Sequence, residues 1–138
     1  MRIVVFHNIA TDDVGRSEAW LGYRPGHPLV PVYVLERLEV EQSPSAVAEM
    51  IYHLLNVGDD PQFGIPHPDA VAYRTAKNRS LSVGDVVLVG DEWWACASMG
   101  FERIEAPRWL AVGVGKHGTT PLESRRWSPP LPLNITVE

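Results

Sequence analysis

Five histidines, one cysteine and a few serines are the residues of this 138-residue chain that could carry catalysis or hold a metal. The histidines are His7, His27, His53, His67 and His117. One of them, His53, stands four residues from a carboxylate, Glu49, but a single such pair is too few, and there is no Cys-x-x-Cys, whereas zinc needs three or four converging nitrogen or sulfur ligands. No metal and no cofactor is expected. The nearest approach to an acid–base set is His67-Pro68-Asp69, with Asp85 further along. A small hydrolase or nuclease would need these three in one cleft, and a structural loop is the simpler reading of them. Ser80, Ser82 and Ser98 lack the Gly-x-Ser-x-Gly setting of a nucleophile elbow. Cys96 falls in an alternating apolar run and reads as a small core hydrophobe, not an activated thiolate. Gly113 and Gly115 in Val-Gly-Val-Gly-Lys echo a phosphate loop, but the first glycine and the Ser/Thr after the lysine are missing.

Binding chemistry is better represented. The formal net charge is −5, the wrong sign for a general nucleic-acid binder. Its distribution is uneven: residues 1–69 hold ten acids and four Lys/Arg, residues 70–138 seven acids and eight Lys/Arg. Arg74, Lys77 and Arg79 follow one another with no acid between them, as a solvated loop or a small anion-facing patch. Five tryptophans are many for this length. Trp93 and Trp94 are adjacent on an expected strand, so they point to opposite faces. Basic residues with an exposed aromatic are the recipe for single-strand nucleic-acid binding, which makes Arg74, Lys77, Arg79, Trp93 and Trp94 the candidate partner-binding residues. Trp127, after Arg125-Arg126, reads as tacking down a Pro-rich tail.

These residues need elements to hold them. Hydrophobic residues make up 45% and charged residues 21%, as in an ordinary globular chain, which excludes disorder and charge-rich helical rods. Twelve prolines and eleven glycines argue against a bundle of long helices. Residues 2–7 are apolar on both faces and read as a central strand. Residues 10–31 read as a loop with one helical turn near 17–21. Alternation from Val32 predicts a strand to Glu41, with Val32 and Val34 on one face and Tyr33, Leu35 and Arg37 on a half-wet one. Ser43 and Pro44 are good N-cap and first-turn residues for a helix over 44–56. Val47, Met50, Ile51, Leu54 and Leu55 form its apolar stripe, and Gly58 is placed for a left-handed cap. Residues 58–70 are turn-rich, and 70–74 read as a short strand. Residues 86–89 and 92–98 form a hairpin through Gly90-Asp91, 101–105 continue the meander, and 107–114 make another strand. The expected fold is α+β, with one principal helix on a mostly antiparallel sheet of about five strands. It forms one domain over 1–117, followed by an extended Pro-rich tail over 118–138. No apolar stretch is long enough for a signal core or a membrane span, so a cytoplasmic protein without membrane association is expected.

The most distinctive stretch is Asn78-Arg-Ser-Leu-Ser-Val-Gly-Asp-Val-Val-Leu-Val, followed by Trp93-Trp94 and Gly100-Phe101. Together with a helix ending in Leu55-Asn56, this resembles the YodL-like domain family over about residues 47–104, with Gly84 where that family often has serine. It is also similar to small proteins of actinobacterial plasmids and integrative elements. The resemblance implies a mobile-element context and no catalytic residues. From the residues themselves, Ser80, Ser82 and Asp85 can bond nearby backbone, Gly84 can turn the chain, and Leu81 and Val83 can plug the core. The other reading makes Arg79, Ser80, Ser82 and Asp85 a recognition surface. The expected function is a non-enzymatic binding or regulatory module acting on a protein partner, the alternative a nucleic-acid-associated protein.

Overall fold

Strand β1, Arg2–Asn8, is buried from Ile3 onward on both faces, and it lies at the centre of the sheet. The computed structural model describes residues 1–36, 42–107, 109–112 and 120–123. On one side β1 pairs antiparallel with β2, Leu29–Glu36, and on the other with β3, Val86–Val89. β3 turns through Gly90-Asp91 into β4, Glu92–Cys96, which pairs with β5, Phe101–Ile104. Gly90 has φ 64, as a two-residue primed hairpin turn requires. Beyond β2 come β6, Trp109–Val112, and β7, Thr120–Glu123, so the order is β5-β4-β3-β1-β2-β6-β7. Among the described residues only the β2–β6 junction, at Leu29 and Leu110, is parallel. The α+β class and the mostly antiparallel sheet hold, with seven strands among the described residues where about five were expected. Residues 120–123 of the expected tail lie in the sheet, and the rest of 118–138 falls outside the described residues, as do residues 37–41 and Trp127.

β2 starts three residues earlier than alternation suggested. Pro31 obscured it, since proline cannot donate to a ladder. Here it sits at a bulge, where Phe6 faces Pro31 and Val5 faces Tyr33. The face carrying Tyr33 and Leu35 is not half-wet: both are buried with Ile3, Val5, Val87 and Val89 beneath the helical layer. The opposite face buries Val4, Phe6, Leu29, Val34, Val86 and Leu88.

Helix α1, Pro44–Val57, has Ser43 as N-cap, its hydroxyl accepting the Ala46 N–H. Val47, Ala48, Ile51 and Leu55 are buried on the sheet, whereas Met50 is 39% exposed and Leu54 only partly buried. Gly58 is right-handed, φ −68, not left-handed, and its N–H continues the helical pattern to the Leu54 carbonyl. A glycine fits there because a Cβ would lie 2.3 Å from that carbonyl oxygen and 3.0 Å from Ala70.

The expected strand at 70–74 is instead helix α2, Pro68–Thr75. His67 caps it, Nδ1 accepting the Asp69 N–H, and Pro68 occupies the first turn. Ala70 and Tyr73, three apart, are fully buried, which is the helical period. Ala70-Val71-Ala72-Tyr73 is an unbroken apolar run, which in so short a segment fits a buried strand as readily as a helix, and histidine is an uncommon cap.

Candidate functional site

The segment 78–85 follows α2 and leads into β3, and almost every polar group in it has an internal partner. The Tyr73 hydroxyl donates to the Arg79 carbonyl at 2.6 Å. Having spent its one proton, it faces His7 Nε2, also at 2.6 Å, as an acceptor, so that nitrogen carries the hydrogen. Burial, with Asp85 nearby, holds the Tyr73 hydroxyl far above the usual phenol range. Asn56, at the end of α1, takes the Leu81 N–H on its carbonyl and gives its amide to the Leu81 carbonyl, much as a strand neighbour would. Arg74 donates to Ser80 Oγ and to the Asn78 and Asn56 carbonyls. Leu81 is 2% exposed and packs into the core below α1.

Asp85 anchors the segment. It is 1% exposed and receives Arg79 bidentately at 2.6 and 2.7 Å, the Asn8 N–H at 2.9 Å and the Ser82 N–H at 2.8 Å. These four bonds fill the acceptor sites of a carboxylate. The Asp85 hydrogen bond also raises the Arg79 guanidinium above its ordinary value. Lys77 is exposed and left-handed, φ 65, just past the end of α2.

The two tryptophans do not join the basic residues. Trp93 packs on Phe6, ring centroids 5.2 Å apart, on the face away from the helices. Trp94 packs on the helical side, and its buried Nε1 has no hydrogen-bond partner among the described residues. Gly100, φ 77, turns the chain into β5, where Phe101 meets Tyr52 edge to face.

The groups considered for catalysis are likewise dispersed. His67 and Asp69 approach at 3.8 Å, but Asp69 is fully buried and accepts the Tyr33 hydroxyl at 2.8 Å. Asp85 is spent on Arg79, Asn8 and Ser82. Cys96 is buried in β4, and burial, followed by Asp85, pushes its thiol up to about 11. Among the described residues no three His, Cys, Asp or Glu side chains gather around a metal position.

The helical turn expected near 17–21 is a short 3-10 turn, Ala19–Leu21, and it presents Trp20 at 70% and Leu21 at 62% exposure, although neither was among the candidate site residues. Its base is firmly held. Asp12 accepts the N–H groups of Val14 and Arg16, which holds its carboxyl below the usual range, and Glu18 N–H reaches the Ala10 carbonyl. Ala19, 4% exposed, presses on Gly84: a Cβ at Gly84, whose φ is +93, would lie 2.6 Å from both the Cβ and the carbonyl oxygen of Ala19. Asn8 joins the two segments, its amide donating to the Gly84 carbonyl and facing His27 Nδ1, while its carbonyl accepts the Ala10 N–H. An apolar pair, Trp20-Leu21, in an otherwise polar, glycine-flanked segment was the available sequence signal.

No family model, no curated protein and no solved structure matches the chain.

Proposed function

We propose that the chain is a non-enzymatic binding module that engages a protein partner through the turn carrying Trp20 and Leu21. The observation behind this reading is an exposed aromatic on a braced support. Exposed apolar side chains on floppy loops are ordinary, but Trp20 stands on a turn wedged against Gly84 and framed by Asp12 and Asn8. A rigid Trp offers a large contact area with little ordering entropy, which is why tryptophan is enriched at the energetic centres of interfaces. On this reading the segment 78–85, which carries the resemblance to the YodL-like family, is the platform under the recognition turn, and the mobile-element context is the setting in which a regulatory partner is sought. No helix among the described residues is long and apolar enough to cross a membrane.

The test is affinity capture with the full chain and its Trp20→Ala variant in parallel, using lysate of a host of the related plasmids. A partner retained by the parent and reduced at least tenfold by the variant, with both chains equally folded by circular dichroism, is the expected result. Capture that ignores Trp20, or salt-sensitive binding to DNA or RNA alone, overturns the reading.

A further inference from the structure

We propose that a hollow between α1 and the β4–β5 turn receives the ammonium group of a lysine side chain from a protein partner. The hollow measures about 280 Å³ and is walled by Glu49 and Tyr52 of α1, Ser98 and Gly100 of the turn, and Phe101, with Cys96 also lining it. That is below the roughly 300 Å³ at which cofactor and drug-sized sites begin, so it suits one side chain. Glu49 leans over the glycine: a Cβ on Gly100 would come within 3.3 Å of its Oε1. Neither the Glu49 carboxylate nor the hydroxyls of Tyr52 and Ser98 has a hydrogen-bond or ionic partner among the described residues.

The chemistry selects the ligand. A carboxylate and two separate hydroxyls are acceptors for three diverging donors, the pattern of an ammonium rather than the flat fork of a guanidinium. Tyr52 and Phe101, 6.1 Å apart and edge to face, add aromatic walls that favour a cation and the aliphatic stem behind it. Among the described residues no cation lines the hollow, and Glu49 is its one charged group. Among the described residues β5 is the last strand of the sheet at that side, an edge along which the segment bearing the lysine can lie. Met99, 89% exposed beside Ser98, offers it an adaptable apolar contact.

This inference rests on the binding-module reading for the source of the lysine, but it is tested without that partner. Amide shifts of the full-length folded chain are followed by NMR while the capped tripeptide acetyl-Gly-Lys-Gly-amide is added, with norleucine and arginine analogues as controls. Saturable shifts at Glu49, Ser98, Gly100 and Phe101 at millimolar lysine peptide are expected. At least tenfold weaker binding is expected for norleucine, arginine and the Glu49→Gln variant. Absence of shifts at those positions, equal binding of either control peptide, or full binding by a folded Glu49→Gln variant overturns the proposal. Lysine binding that persists in Trp20→Ala separates this site from the turn, so failure of one leaves the other standing.

Discussion

The segments 78–85 and 10–22 are in contact through Gly84 and Ala19, yet they are built on opposite plans. The first is rich in residues that look chemical, and it turns them inward: Arg79 on Asp85, Arg74 on Ser80, Asp85 on the N–H groups of Asn8 and Ser82 as well. The second spends Asp12, Arg16 and Ser17 on its own frame and leaves Trp20 and Leu21 outside. A polar side chain whose bonds are filled at home has little left for a ligand. A large apolar side chain held rigidly in water has a free-energy reason to find one.

The contrast can be broken by mutation. Arg79→Ala should be the most damaging change. It leaves Asp85 buried without its counter-charge, a loss of about 3 kcal/mol, at the lower end for a broken buried pair because the Arg79 side chain is 45% exposed. Urea unfolding measures it, and a loss below about 1 kcal/mol would mean that the inward-facing segment is a surface after all. Gly84→Ala should follow at roughly 2 kcal/mol, combining left-handed strain with crowding against Ala19. It should also weaken partner capture, because Ala19 carries the turn.

A pH effect comes next. His27 Nδ1 accepts from the Arg24 N–H and faces the Asn8 amide, so it must stay unprotonated. Burial lowers its pKa against the opposing pull of Glu18, with Arg24 adding to the lowering. The unfolded chain therefore binds a proton at about pH 6.5 that the folded chain resists. Stability is full above that pH and declines as pH falls toward the lower folded value. Melting temperatures at pH 7.5 and 5.5 should show this decline, and His27→Gln should lessen it. The smallest effect on stability belongs to Trp20→Ala, within about 0.5 kcal/mol as for an ordinary surface site. A larger loss by thermal melting would show that Trp20 is part of the fold rather than free for a partner.

Several elements were legible from residue pattern alone. An apolar, β-branched run with both faces covered leaves few places but the middle of a sheet, and β1 is there. Ser43-Pro44 with the spacing of Val47, Ile51 and Leu55 suffices for α1, and Gly90-Asp91 between two apolar runs suffices for the β3–β4 turn. The α2 helix was not legible, because the unbroken apolar run 70–73 favours neither period and the deciding contact, Tyr73 in the core, is tertiary. The start of β2 was hidden by Pro31, acceptable only because a bulge places it where no ladder bond is needed. Among the candidate site residues, the opposite faces of Trp93 and Trp94 followed from the strand period. That Arg74 and Arg79 are engaged within the chain did not follow, since their partners Asn56 and Asp85 are set by how α1 and β3 meet.

Composition, period and turn chemistry by themselves determined that this chain makes an α+β fold around a buried first strand, because those are local properties that survive in any arrangement. Which charges are neutralised, which glycine has no room for a side chain, and which tryptophan stands in water were decided only by the tertiary structure. Each depends on residues such as Ala19 and Gly84, 65 positions apart in the chain, and the contact between them exists only once the sheet has brought their loops together.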